Sequence, residues 1–157
     1  MHRMLVDYQE KYYSKLCKRN KYLIADNYEK AILIAAWKKG IARMWENLEV
    51  LSVDMVGLNG HAYKIGQKYE AKVIIRLKGV PASAIGMELV VTDTSKSGRM
   101  KLIHSQEFNL VKTEEGKVHF NIEIMPTQTG SFNYGFRIFP KHKDLPNKQD
   151  FNLVSWI

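Results

Sequence analysis

The spacing of apolar residues changes once along this chain, from three or four to two. Over residues 2–19, Leu5, Tyr8, Tyr12 and Leu16 recur at intervals of three and four, which places them on one side of a helix. Asp7, Glu10, Lys11 and Lys15 fall largely off that line, and Asp7 and Glu10 can each reach a lysine one turn on. Asn20 to Ala25 closes this helix. Asp26, with Glu29 three residues later, forms the capping-box pattern "DNYE" that opens a second helix, running to about Asn47. Its apolar residues are Ala31, Ile32, Ile34, Ala35, Trp37, Ile41, Met44, Trp45 and Leu48. They spread over far more than one stripe, so this helix needs cover on two sides. A sheet serves one side. The other needs the first helix or something beyond this chain. Gly40 costs about 1 kcal/mol relative to alanine, so close packing is the expectation at that position.

From about residue 49 the period is two. Tyr69, Ala71, Val73, Ile75 and Leu77 share one face, as do Val118, Phe120, Ile122 and Ile124, with His119, Asn121 and Glu123 opposite. Phe132, Tyr134, Phe136 and Ile138 repeat the pattern. Further strands are expected at 49–56, 86–93, 101–111 and 151–156. Turn signals separate them: "GLNG" at 57–60, "KGVPAS" at 78–83, "SKSG" at 95–98, "EEG" at 114–116 and "PTQTG" at 126–130. The fold expected is α+β in two segments. A helical hairpin over 1–48 precedes an antiparallel, immunoglobulin-like β-sandwich over 49–157. No strand alternates with a helix, so a parallel sheet is not indicated.

Composition supports a folded chain. Apolar residues are 45% and charged residues 25% of 157, and a chain of this length buries roughly 70% of its unfolded surface. The longest apolar run, "AILIAAW", is far too short to span a bilayer. The single cysteine, Cys17, forms no internal disulfide and suits a reducing, cytoplasmic setting; its context is that of an ordinary helix residue. The formal charge of +8 raises the question of an anionic partner. Lys11, Lys15, Lys18, Arg19 and Lys21 crowd one stretch, and Lys141, Lys143 and Lys148 another. A solvated helix face, or one meeting an acidic neighbour, explains the first group as well as nucleic acid does. A basic aromatic RNA-binding strand motif is absent.

Candidate chemistry is sparse. His2, His61, His104, His119 and His142 form no metal-ligand spacing, and the nearest case is His104 with His119 on two strands. No nucleophile elbow, P-loop or dinucleotide fingerprint occurs. Glu114 and Glu115 belong to a turn, not to a pair set for glycoside hydrolysis. Trp37, Phe120, Phe132 and Phe136 read as core, while Trp156 and Tyr63 are less determined and leave room for a sugar-stacking surface.

The opening "HRMLVDYQEKYYSKL" resembles the closing segment of the catalytic region of α-glucan (glycogen/maltodextrin) phosphorylases, through Arg3, Met4, Tyr8 and Tyr12 or Tyr13. It is similar in particular to the shorter bacterial and archaeal branch. There the segment continues through an "AAWK…W" helix, matched by Ala35, Ala36, Trp37, Lys38 and Trp45, into an all-β extension. The end of that extension resembles residues 130–156, with a "P-K-H-x-x-L-P" turn and a final "F-x-L-V-x-W" strand. The resemblance implies a parent that transfers glucosyl units between α-1,4-glucan and phosphate with pyridoxal phosphate. The cofactor lysine and phosphate-binding groups of that family lie upstream of residue 1. No catalytic, cofactor or metal residue is therefore carried over, and the chain is expected to be inactive alone. Arg3, Tyr8, Tyr12, Trp37 and Trp45 become interface candidates toward that upstream region. Self-association through the uncovered helix face and binding of α-glucan by the sandwich are the other partners to weigh. A free-standing carbohydrate-binding or protein-interaction module is the alternative.

Overall fold

The computed structural model describes residues 2–56, 64–94, 100–130 and 132–157. The turns expected at 57–60 and 95–98, Tyr63, His61 and the side chains of His2 and Leu5 lie outside the described residues. The chain divides into two compact units, Met1–Gly40 and Ile41–Ile157. The fold is α+β: helices come first, then two four-stranded antiparallel sheets in a sandwich-like arrangement.

Helix α1 spans His2–Tyr8, a π-helical turn follows at Gln9–Tyr13, and α2 spans Ser14–Met44. The π turn is closed by the N–H of Ser14, which donates to the carbonyl of Gln9. The wider turn keeps Tyr8 and Tyr12 side by side, with ring centroids 5.8 Å apart. Asp7 and Lys11 pair one turn apart at 3.6 Å. Helix α2 is interrupted where the sequence ends one helix and begins another. Ala25 is extended (ψ 155°), and Asp26, Asn27 and Tyr28 are left-handed, with φ of 50°, 53° and 66°.

The expected cap is not formed there, because an N-cap residue takes extended backbone and Asp26 does not. Asp and Asn tolerate the left-handed region through short polar side chains. Tyr28 carries the full steric cost of about 1–2 kcal/mol.

In the second unit, β1 (Glu49–Val56), β2 (Tyr69–Arg76), β6 (Lys117–Ile124) and β5 (Asn109–Glu114) form one sheet in the order β1-β2-β6-β5. β4 (Met100–Glu107), β3 (Ile85–Thr94), β7 (Asn133–Pro140) and β8 (Ser155–Trp156) form the other, in the order β4-β3-β7-β8. The period-two faces become the core. Ala71, Val73 and Ile75 lie opposite Ile122, Phe120 and Val118 across β2 and β6, and all six are buried. Met87, Leu89, Phe136 and Ile138 supply the buried face of the other sheet. Ile41 and Trp45, from the end of α2 and the short helical turn after it, are buried in the same unit. The β5–β6 hairpin turns through Glu115 and Gly116, at φ 49° and 71°, as a two-residue turn with both central residues left-handed must.

Three expectations are corrected. Residues 101–111 are two strands, β4 and β5, in different sheets. Phe108 sits at the crossing: it is buried, its N–H donates to the Met87 carbonyl at 2.8 Å, and its ring meets Phe136 edge-on at 5.3 Å. Next, Phe132 and Tyr134 share the inward parity of Phe136 without its burial: Tyr134 is exposed and Phe132 half-buried. They line an open cleft of about 660 Å³, to which both sheets contribute through Met55, Leu89 and Ile124. Finally, the strand expected at 151–156 shrinks to Ser155–Trp156, extended by a backbone pair between Ile157 and Phe136.

Candidate functional site

The helical unit presents an apolar and basic surface. Met4, Tyr8, Tyr12, Tyr13, Leu16, Tyr22, Ile32 and Leu33 are all exposed, Ile32 by 62%. Unit Met1–Gly40 holds nine Lys or Arg and four Asp or Glu, a surplus of five out of the chain's +8. The over-wide apolar arc of the second helix is visible in these positions. Ile34 is buried, Trp37 half-buried, and Ile32 and Leu33 open to water.

Of the interface candidates, Tyr8 and Tyr12 stand together and exposed, and Arg3 is exposed nearby in sequence. Trp37 is half-buried. Trp45 is 6% exposed and belongs to the interior of the sandwich unit. His104 and His119 lie on β4 and β6, in separate sheets, and are not brought together. His119 Nε2 lies 3.3 Å from Glu114 Oε1, but its angle makes no hydrogen bond. Among the described residues no group of three or more His, Cys, Asp or Glu could hold a metal ion. Cys17 is exposed and unpaired with another cysteine.

The sandwich has one polar feature that periodicity does not announce. On β3, Met87 and Leu89 face inward, so Glu88 faces outward, yet it is only 2% exposed. Two cations hold it: Arg137 Nε at 2.5 Å and Lys148 Nζ at 2.8 Å. Lys148 also reaches Glu107 at 2.9 Å and lies 4.3 Å from the centre of the Phe139 ring, and Lys141 pairs with Glu107 at 2.8 Å. Burial works against the Glu107 carboxylate, but the hydrogen bonds from Lys141 and Lys148 outweigh it and hold its pKa below the ordinary value. Burial likewise disfavours the Lys148 ammonium, and its bonds to Glu88 and Glu107 outweigh that and raise its pKa. Two glycines lie under aromatic rings on this face, and Gly86 makes room for one of them. A Cβ on Gly86 would stand 2.6 Å from the Phe139 ring, and one on Gly135 would stand 3.4 Å from the Trp156 ring. A glutamate inside the apolar run "IGMELVV" is the one sequence signal that could have flagged this cluster.

Fold and surfaces together define an antiparallel β-sandwich module with a helical lead. Residues 45–157 match the family model described as glycogen phosphorylase C-terminal domain, and the chain belongs to that family. It is also similar to the maltodextrin phosphorylase of Thermococcus litoralis, at 24% identity over 162 residues. That match takes in 99% of this chain and 18% of the relative, so the chain spans under a fifth of that protein's length.

Proposed function

We propose that this chain is the C-terminal accessory part of an α-glucan phosphorylase and is not catalytic alone. In the parent reaction, α-1,4-glucan is cleaved by phosphate to release glucose 1-phosphate. The observation that carries this reading is the family match over 45–157, continued through the helices by the maltodextrin phosphorylase match. Residues 1–48 would then end the catalytic region and 49–157 would form the accessory sandwich. Arg3, Tyr8 and Tyr12, with Leu16 and Ile32, would pack against the upstream part of the same polypeptide. Their exposure and the local surplus of positive charge suit an apolar surface with acidic rims. Trp37 would stand at the edge of that contact. Self-association of the isolated chain is the expected consequence of leaving this face open.

The cofactor of such a parent is pyridoxal phosphate, carried by a lysine. Among the described residues Glu88 is the one buried charged side chain, so no described lysine occupies an enclosed site that fits the group. No step is assigned to it in this chain. No helix among the described residues is long and apolar enough to cross a membrane. A cytoplasmic setting goes with the single free thiol. The strand orders β1-β2-β6-β5 and β4-β3-β7-β8 support an immunoglobulin-type connection of the sandwich.

The test is phosphorolysis. The purified chain is given maltodextrin, phosphate and pyridoxal phosphate, alone and joined behind the catalytic region of an α-glucan phosphorylase. Glucose 1-phosphate is expected only from the joined protein. Release by the chain alone would overturn the reading. The alternative, a free-standing carbohydrate-binding module, is favoured by one observation, the exposed Trp156.

A further inference from the structure

We infer that Trp156, laid against Gly135 and flanked by Arg137, is a stacking platform for an α-1,4-glucan. The choice of glucan rests on the phosphorylase reading; the platform itself rests on geometry. Trp156 is 59% exposed, whereas Trp45 is buried and Trp37 half-buried. Its ring packs beside Gly135 of β7, where even a Cβ would stand in ordinary van der Waals contact with the indole at 3.4 Å. A ring supported in this way has already lost much of its rotational freedom, so binding costs less ordering.

Arg137 stands directly across the strand pair from Trp156, its guanidinium carbon 5.7 Å from the ring centre. The Arg137 Nε is committed to Glu88, itself buried, which fixes the plane of the guanidinium. Its two Nη groups have no hydrogen-bond partner among the described residues. The result is an indole more than half exposed, with a fixed planar fork of donors over part of the ring. A pyranose ring presents the complement, an apolar C–H face edged by neighbouring hydroxyl oxygens. The indole takes the face and the Nη groups donate to the hydroxyls.

A neutral ligand fits the local charge better than a polyanion. Arg137, Lys141 and Lys148 are already paired with Glu88 and Glu107, so little net attraction remains for a phosphate chain.

The test uses the full chain. Its migration is measured in native gels with and without amylose, and maltoheptaose is titrated while tryptophan fluorescence is followed. The expected result is retardation by amylose and a Kd on the order of 1 mM for maltoheptaose. Trp156→Ala weakens binding at least tenfold, and Trp156→Phe, which keeps an aromatic face, stays within about threefold. Circular dichroism and thermal melting check that both variants keep the sandwich. Three results would overturn the inference: no retardation of the folded wild-type chain, equal retardation of Trp156→Ala, or a shift on single-stranded DNA in place of amylose. Retention by cellohexaose alone overturns the assignment to α-1,4-glucan. None of these outcomes touches the phosphorylase reading, which stands or falls on glucose 1-phosphate release from the joined protein.

Discussion

The helical unit and the sandwich use apolar residues in opposite ways. In the sandwich, the two sheets face each other, and Ala71, Val73, Ile75, Val118 and Ile122 are completely removed from water. In the helical unit, Tyr12, Leu16 and Ile32 are each about three-fifths exposed although their spacing is that of a packed helix. Good helical periodicity therefore says that a face is meant to be covered, and not by what. A sheet pair supplies both halves of its own interface; a lone helix supplies one. The charge follows the same division, with most of the surplus on the unit that leaves its apolar side open.

The contrast is sharpest in stability. Phe120→Ala should cost about 3–5 kcal/mol, the usual range for emptying an aromatic core site, and lower the denaturant midpoint of the sandwich accordingly. Glu88→Gln comes next, at about 2–3 kcal/mol. It removes a buried carboxylate from two cations, both partly solvated, which reduces the loss below that of a fully buried pair. Gly86→Ala should cost about 1–3 kcal/mol, because the new methyl meets the Phe139 ring at 2.6 Å and one of them must move. A midpoint unchanged by Gly86→Ala would show that this face repacks freely.

The acid and alkaline limits probe the same ion cluster. Glu107 titrates below its ordinary value of 4.5, so its contribution is full above that value and is lost as pH falls through its lowered pKa. Lys148 titrates above 10.5, so its contribution is full below that value and is lost as pH rises through its raised pKa. In Glu107→Gln, the melting temperature of the sandwich should be less sensitive to pH at the acid end. The smallest effect belongs to the helical unit. Leu16→Ser or Ile32→Ser should change the stability of the isolated chain by under about 0.5 kcal/mol, while reducing any concentration-dependent light scattering. A loss above about 2 kcal/mol would show that these residues are already packed, and the comparison would fail.

The interior of the sandwich was legible because alternation is local. Ala71, Val73, Ile75, Val118, Phe120 and Ile122 could be assigned from their neighbours alone. The same alternation concealed the crossing at Phe108. Gln106, Phe108 and Leu110 keep one parity while the chain passes from one sheet to the other, so period two runs on unbroken through a change of sheet. The helix break was legible from "ADNYE", but its left-handed backbone was not, since capping patterns assume an extended Asp26. Of the candidate site residues, Tyr8 and Tyr12 could be paired from spacing, whereas Trp45 could not be told apart from Trp37. Both lie on one apolar helix pattern, and only the fold buries one of them fully.

By itself, then, the sequence determined the two periods, the order of helices and strands, the inner face of β2 and β6, and the kinship with glucan phosphorylases. These depend on residues close in the chain or on motif order. Tertiary structure alone decided that Glu88 faces outward yet lies buried between Arg137 and Lys148, that Gly86 makes room for the ring of Phe139, that Trp156 lies across from Arg137, and that Tyr134 opens onto a cleft. Each joins residues tens of positions apart. Strand pairing brings them together, and no local pattern encodes which strands will pair.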